Sequence, residues 1–370
     1  KIIFNPDDMN GALYNIFFPV DMFENDADKN EALEQLAFQL MPLETNMTDT
    51  SVFFLTEGRK ILTAAMITYY HQGMDFPQIC KRIISSSWST LFSEIDQNGN
   101  YEAKQYINSF EGTNEKNIAG CKQACDSALK LFATNSHVYN AIGREREGKE
   151  AFTPEQLENK NIFVVIQDSK LELYEPLVHI ITAQCMEYFS NRDNNNQHTI
   201  LMCLDEFASF GHLEITPALR KLRKKHVRIM VLTQSLADID LIYGRDERMA
   251  MLNNFAYKIV LGCSDSDTQE YFSRLIGEKE VYRKAVSKNG KQVTNTRTEA
   301  KERIVPPAEL ARLGRHMILL AEGKYYKLTK NYYFELDLWD RVKKCINNLS
   351  RIQEEDFSEK NTLSLTDENK

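Results

Sequence analysis

The stretch that decides the fold is Thr199–Glu206, TILMCLDE, an apolar run that ends abruptly in two adjacent carboxylates. A strand covered on both faces of a parallel sheet has a short, continuous apolar sequence of this kind. Because a sheet interior disfavours unpaired charge, we expect Asp205 and Glu206 to lie at the carboxyl end of the strand. Open α/β sheets bind their ligands at that edge. The pattern therefore predicts a buried strand beside a ligand site, although a strand that simply meets solvent would look the same.

The residues downstream add a second strand and another polar group. Thr216–Lys225 (TPALRKLRKK) is predicted to form a short basic helix, with Thr216 as N-cap and Pro217 in the first turn. Val227–Leu232 is an apolar strand followed by a polar triplet that contains Gln234. This order of elements is the arrangement of RecA-like motor ATPases. There an acid at the strand end holds Mg²⁺, a neighbouring acid polarises the attacking water, and the glutamine senses the γ-phosphate.

The chain resembles a known family, the coupling ATPases of type IV secretion and conjugation systems (TraG/TraD-like). The resemblance covers about residues 1–340, and an ordered set of motifs is more specific than any one of them. The motifs are Ile3–Pro6 (IFNP), Leu204–Gly211 (LDEFASFG), Thr233–Ser235, Tyr243-Gly244, Asn253–Gly262 (NNFAYKIVLG), Asp267-Thr268, Tyr271-Phe272, Pro306–Leu313 and His316–Gly323.

The resemblance implies an α/β fold: a RecA-like P-loop NTPase core with a largely parallel sheet, interrupted by an inserted all-α domain. It implies ATP and Mg²⁺ as cofactors. Asp205 would hold Mg²⁺ through water, Glu206 would orient or activate the attacking water, and Gln234 would report the γ-phosphate. An arginine at the place of Arg223 reaches into the neighbouring subunit's site in this family, and Arg220 and Arg228 are competing candidates.

The domain boundaries expected on this basis follow the helical and strand patterns along the chain. Residues 1–26 begin the nucleotide-binding core, residues 27–138 form the all-α insertion, residues 139–340 complete the core, and residues 341–370 form a polar tail that is flexible or docks elsewhere. The helical signals within the insertion are Asn30–Leu40, Val52–His71, a helix opened by Phe76-Pro77, and Ile118–Phe132. Further strands are expected at Tyr257–Leu261 and Met317–Leu320.

One departure from the family is the phosphate-binding loop, because the sequence contains no Gly-x-x-x-x-Gly-Lys-[Ser/Thr]. The nearest candidate, Gly58-Arg59-Lys60, lacks the first glycine and follows no strand. In the family this loop, and the membrane helices before it, lie upstream of the position equivalent to Lys1. We therefore expect the chain to be the C-terminal portion of a longer protein that does not bind ATP competently alone. We also expect it to be unstable or to associate, since the internal strand before the loop would be missing.

Composition narrows the possible partners only a little. Lys+Arg 45 against Asp+Glu 53 gives a net charge of −8, so no overall basic field indicates nucleic acid, although a locally basic channel remains compatible. The seven cysteines form no Cys-x-x-Cys pair, which is typical of a reducing compartment. Cys121, Cys125 and Cys203 are expected to be core residues.

Two basic segments allow both a bland and a functional interpretation. The helix carrying Arg220 and Arg223 is either a solvent-exposed surface or the source of the arginine that reaches the neighbouring subunit's site. Lys288–Lys291 (KNGK) predicts the turn of a hairpin between Val281–Ser287 and Gln292–Thr298, whose basic arms either decorate the surface or touch DNA.

The functional hypothesis is a homo-hexameric coupling ATPase at the cytoplasmic face of the bacterial inner membrane. It would recruit single-stranded DNA with its attached relaxase, or effector proteins, through the all-α domain and drive them into the type IV secretion channel. Two alternatives stay open: a chromosome-type DNA translocase, and a catalytically silent substrate receptor of the secretion apparatus.

Overall fold

The computed structural model describes residues 1–43, 47–145, 148–194, 198–289, 292–332, 334–335, 339–341 and 343–344. The chain divides into two compact units, Lys1–Phe255 (unit 1) and Ala256–Lys370 (unit 2). The predicted polar tail at 341–370 lies almost wholly outside the described residues. The division at 26/27 and 138/139 expected from the sequence stays a prediction.

Unit 1 combines short parallel strands with eleven described helices. The strands are β1 (Ile2–Phe4), β2 (Leu13–Tyr14), β3 (Ala151–Phe152), β4 (Ile162–Val164), β5 (Ile200–Leu204) and β6 (Val227–Val231). The helices are α1 (Phe18–Asp21), α2 (Asp26–Leu40), α3 (Asp49–His71), α4 (Phe76–Ser85), α5 (Trp88–Asn98), α6 (Tyr101–Asn108), α7 (Glu115–Thr134), α8 (Ser136–Ala141), α9 (Leu171–Ser190), α10 (Ile215–Leu222) and α11 (Leu236–Asn254). Short 3-10 turns occur at Pro154–Glu158, Asp168–Lys170, Phe207–Phe210 and Arg223–Lys225.

Helices α2 to α8 form a bundle around α3. Every residue from Ile61 to Tyr69 in α3 is buried, which is the pattern of a helix surrounded by others. Polar residues define where these helices begin: Asp75 makes a capping box with Gln78 at the start of α4, and the side chains of Asn25, Thr48, Ser87, Asn100, Asn114 and Asn135 each accept an N-terminal backbone N–H. Cys121 and Cys125 are buried in α7, which confirms their predicted core role.

The strands on either side of the bundle pair with one another in parallel. β1 lies beside β4, with Ile2 opposite Ile162, and β2 lies beside β3, with Leu13 opposite Ala151. The bundle is therefore inserted between strands that belong together. β5 and β6 form the third parallel pair, in register from Ile200 opposite Val227. Parallel pairing of this kind needs long crossover connections, and α10 supplies the one between β5 and β6.

The prediction that the acid-bearing strand is buried on both faces is wrong. One face of β5–β6 is packed, and Ile200, Leu204 and Val227 are buried there. On the other face Leu201 is 61% exposed and Met230 is 44% exposed, and Cys203 between them is exposed rather than part of the core. An apolar sequence shows that both faces of a strand are suited to burial, but the residues described here bury only one face.

This open face predicts self-association of the chain. Leu201, Cys203 and Met230 expose a contiguous apolar surface beside strand edges that pair with no other described strand, a combination that favours pairing with another molecule. Replacing Leu201 and Met230 together with threonine, which keeps β-propensity, should shift the chain toward monomer in sedimentation velocity. The same pair of substitutions at exposed Leu241 and Met249 of α11 is the control. An unchanged distribution in the Leu201/Met230 variant would contradict the prediction.

Unit 2 contains β7 (Tyr257–Val260), α12 (Ser266–Ile276), β8 (Glu278–Asn289), β9 (Gln292–Arg303), α13 (Pro307–Leu310), β10 (His316–Ala321) and β11 (Lys324–Thr329). The predicted strands at 257–261 and 317–320 are present, but they pair antiparallel, with Ile259 opposite Leu319. β10 turns directly into β11 through Glu322 and Gly323, both at positive φ, which is the geometry of a tight hairpin.

The predicted hairpin around Lys288–Lys291 is confirmed as β8–β9, with Asn289 opposite Gln292, and its two turn residues lie outside the described part of the chain. Among the described helices, none combines the length and hydropathy of a bilayer-crossing segment.

Candidate functional site

The three polar side chains predicted at the sheet edge differ in how they are placed. The Gln234 Nε2 donates a hydrogen bond of 2.9 Å to Glu206 Oε2, across the carboxyl ends of β5 and β6. Asp205 lies next to them and is exposed, and its Oδ1 accepts the Glu206 backbone N–H at 3.1 Å. The sequence prediction that these residues meet at one edge therefore agrees with the geometry.

The two acids are pushed out of the strand ladder. The Leu232 N–H bonds to the Leu204 carbonyl at 3.0 Å, and the Leu232 carbonyl accepts the Phe207 N–H at 2.8 Å. Asp205 and Glu206 thus bulge between two hydrogen bonds made to one residue. Glu206 adopts the left-handed conformation, at φ 50° and ψ 56°. This costs a non-glycine residue about 1–2 kcal/mol, and strain of this kind is common at functional sites.

The turn that follows the acids is anchored from α9. Gly211 has φ 68° and ψ −162°, a backbone region that essentially only glycine adopts, and its Cα faces the end of the Glu175 side chain on α9. His179, also on α9, is buried beneath the turn, with its Nδ1 3.4 Å from the Phe210 carbonyl oxygen. Burial lowers the pKa of His179, so the ring is neutral there at neutral pH.

The arginine candidates lie at the opposite edge of the same strand pair. Arg223 begins the 3-10 turn that precedes β6, whereas Gln234 follows the end of β6. A five-residue strand spans roughly 16 Å, so Arg223 does not reach the acids of its own chain. Arg220, Arg223 and Arg228 are all exposed, and the Arg228 guanidinium donates to the Arg223 carbonyl at 3.1 Å.

The predicted start of the basic helix, with Thr216 as N-cap, is two residues too late, because Glu214 occupies the N-cap position. α10 begins at Ile215, and Thr216 lies buried within its first turn instead of capping it. Leu213 and Ile215 are fully buried, so tertiary packing fixes the start of the helix and overrides the local capping signal.

Sequence reasoning missed Arg192, which stands in a polar stretch of sequence, residues 191–194 (NRDN). Its side chain is 3% exposed and makes a bidentate ion pair with Glu158, at 2.6 and 2.7 Å. The same guanidinium donates to the carbonyls of His198 and Lys225, at 2.9 and 2.7 Å. These carbonyls immediately precede β5 and β6, so Arg192 fixes the entry of both strands. A polar sequence around it gave no sign of burial.

The donor set at the edge fits a magnesium ion bound with a nucleotide. Asp205 offers an exposed carboxylate, and Glu206 offers a second that is already engaged by Gln234. Mg²⁺ commonly takes one or two protein carboxylates and completes its shell with phosphate oxygens and water. In the part of the chain that the structure describes, no group of three or more His, Cys, Asp or Glu side chains forms a self-contained metal site.

Comparison with known proteins identifies the family. The sequence model of the type IV secretory system conjugative DNA transfer family matches residues 2–360. The chain belongs to this family. It is 23% identical over 195 residues to the protein VirD4 of Agrobacterium fabrum (strain C58), and 24% identical to VirD4 of Rhizobium radiobacter over the same length. Each alignment covers 51% of this chain and 28% of VirD4, so the chain spans under a third of these relatives.

Solved structures of another protein, TrwB, share the fold. The unbound bacterial conjugative coupling protein TrwBΔN70 superposes with a TM-score of 0.70, at 23% identity over 89% of this chain and 73% of TrwB. TrwB in complex with ADP and Mg²⁺ gives a TM-score of 0.66, at 21% identity over 90% of this chain and 74% of TrwB. The predicted α/β fold, a RecA-like core with an inserted all-α domain, is therefore confirmed.

Proposed function

We propose that this chain is the motor part of a coupling ATPase that drives substrate into a type IV secretion channel. The observation that carries the proposal is the contact of 2.9 Å between Gln234 and Glu206 at the carboxyl edge of a parallel strand pair. Family membership and the nucleotide-bound TrwB relatives support an NTPase, because TrwB is known in complex with ADP and Mg²⁺ and with an ATP analogue.

The edge residues divide the chemistry of phosphoryl transfer among them. Asp205, exposed at the strand end, would hold Mg²⁺ through water, and the ion would supply positive charge to neutralise the phosphates. Glu206 orients the attacking water and accepts its proton, as a carboxylate within hydrogen-bond reach of a nucleophile does. Gln234 donates to Glu206, and its amide would report the γ-phosphate by exchanging this bond for one to a phosphate oxygen. The protein thus positions groups and stabilises charge.

The substrate side of the proposal rests on the helical bundle. We place recruitment of single-stranded DNA with its relaxase, or of effector proteins, on the surface of α2 to α8. The motor works as a homo-hexamer beside the secretion channel components at the cytoplasmic face of the inner membrane. Membership of the type IV secretory system conjugative DNA transfer family supports the link to secretion.

We assign Arg223 to the site of the neighbouring subunit, and this makes a prediction for mixed oligomers. Subunits with Arg223→Ala and subunits with Glu206→Gln should each lose hydrolysis, by about 10³-fold for the arginine. Mixing them should restore part of the activity, because only a mixed interface joins an intact Arg223 to an intact Glu206. The measurement is steady-state ATP hydrolysis of the natural protein at varied mixing ratios.

The matched control mixes Glu206→Gln with Gln234→Ala. Both residues lie on one edge of one subunit, so no mixed oligomer contains an intact pair and no recovery is expected. Recovery with Arg228→Ala or Arg220→Ala in place of Arg223→Ala would transfer the role to that residue. No recovery with any of the three would contradict a trans-acting arginine in this segment.

The experiment that tests the function is ATP hydrolysis by the natural protein with and without single-stranded DNA. Stimulation by DNA supports a DNA motor, and hydrolysis indifferent to DNA supports a coupler of protein substrates. Absence of hydrolysis under both conditions would overturn the proposal in favour of a silent substrate receptor.

A further inference from the structure

We propose that Tyr243 is a positioning residue that holds the Glu206 turn in the shape hydrolysis requires. This inference rests on the proposed function of Glu206. Tyr243 lies nine residues beyond Gln234, at the end of the first part of α11, and is 2% exposed. A buried phenol usually satisfies its hydroxyl within the core, and the partners of this one are all in the segment that follows Glu206.

The ring and the hydroxyl of Tyr243 make three contacts with residues 207–213, the segment that follows Glu206. The ring stacks on Phe207, the residue after Glu206, with centroids 5.5 Å apart and an interplanar angle of 10°. The hydroxyl donates to the Gly211 carbonyl at 3.2 Å and accepts the Leu213 N–H at 3.1 Å. These contacts fix both ends of the Phe207–Phe210 turn. Burial raises the pKa of Tyr243, so the hydroxyl keeps its proton.

Helix α11 lies between Gln234 and Tyr243 in the chain and so connects the two contacts with the Glu206 segment. Ser235 caps α11 by accepting the Asp238 N–H, and it directly follows Gln234. The first part of α11 therefore begins at Leu236, two residues after the one that contacts the Glu206 carboxylate, and ends at Tyr243, which contacts the Glu206 turn. A displacement of Gln234 and a displacement of the turn are linked through Ser235 and one helical segment of about 12 Å.

Helix α11 breaks immediately after Tyr243. Gly244 has φ 73° and ψ 163°, so the first part of the helix ends at the clamp. Beyond the break, Glu247 contacts His212 at 3.2 Å, and Arg248 returns to Asp240 at 2.6 Å. The first part of α11 therefore ends with Tyr243 facing the turn. The second part contacts the same segment through Glu247.

The test compares Tyr243→Phe with Tyr69→Phe in the natural protein. Both remove one buried hydroxyl, but the Tyr69 hydroxyl bonds to Glu94 in the helical bundle. Two measurements are made on each variant: amide hydrogen exchange over residues 207–213, and kcat and KM for ATP. For Tyr243→Phe we expect about tenfold faster exchange in that segment and about tenfold lower kcat, with KM within about twofold. Tyr69→Phe should match the wild type in both.

Each outcome decides the inference. Equal exchange in the two variants would overturn it, because the hydroxyl would then not hold the turn. Faster exchange with unchanged kcat would also overturn it, since the turn would be held without consequence for Glu206. If the wild type does not hydrolyse ATP, the proposed function has failed separately, and exchange alone decides whether Tyr243 holds the turn.

Discussion

Glu206→Gln should slow ATP hydrolysis by the natural protein by about 10²-fold or more while leaving nucleotide affinity nearly unchanged. Glutamine keeps the size of the side chain and still accepts the hydrogen bond from Gln234, but it cannot take a proton from water. General-base catalysis by a positioned carboxylate contributes about 10²–10⁴-fold, which sets the scale of the loss. The measurement is single-turnover hydrolysis together with equilibrium binding of a non-hydrolysable ATP analogue.

Glu214→Gln provides the control for Glu206→Gln. Glu214 is an exposed carboxylate eight residues further along, at the start of α10, and its substitution changes net charge by the same amount. We expect it to retain wild-type hydrolysis. A Glu206→Gln protein that turns over at the wild-type rate would remove Glu206 from the chemistry and leave the acids a structural role.

Arg192→Met should destabilise the chain by about 3–5 kcal/mol in urea unfolding. The substitution keeps an apolar stem of similar length but removes the buried guanidinium that pairs with the partly buried carboxylate of Glu158. It also removes the donors to the His198 and Lys225 carbonyls, which hold the entries of β5 and β6. Removing one member of a buried pair is far more costly than the pair is worth.

A matched surface pair in the same unit separates burial from charge. Lys160 and Glu150 form an ion pair whose side chains are 38% and 53% exposed. Lys160→Met should therefore change the free energy of unfolding by less than about 1 kcal/mol. In Arg192→Met/Glu158→Leu the loss should be smaller than in Arg192→Met alone. A loss below about 1 kcal/mol in Arg192→Met would show that the buried pair does not fix the strand entries.

The sequence predicted those parts of the fold that local signals determine. The observed helices α3, α4 and α7 include three local patterns: the helical periodicity of 52–71, Phe76-Pro77, and the helical periodicity of 118–132. Asp205, Glu206 and Gln234 were predictable as neighbours because each directly follows an apolar strand. The carboxyl ends of adjacent parallel strands necessarily meet at one edge.

Other features depend on contacts that no local pattern encodes. Arg192 reads as a loop residue, and only its ion pair with Glu158, 34 residues earlier, makes it a buried anchor. Tyr243 has apolar neighbours in sequence, yet its hydroxyl partners lie 30 and 32 residues away. The antiparallel pairing of β7 with β10 also arises from residues about sixty positions apart. Contacts between residues far apart in sequence thus decide which of several structures compatible with the local sequence is formed.

Nucleotide binding should protect the carboxyl edge of β5–β6 from amide hydrogen exchange in the natural protein. Amide hydrogen exchange would be measured with and without Mg²⁺ and a non-hydrolysable ATP analogue. We expect slower exchange in two segments, residues 204–211 and 232–236, which carry the Asp205–Glu206 bulge and Gln234. If nucleotide binds and neither segment changes, the carboxyl edge of β5–β6 is not the nucleotide edge, and the central claim is wrong.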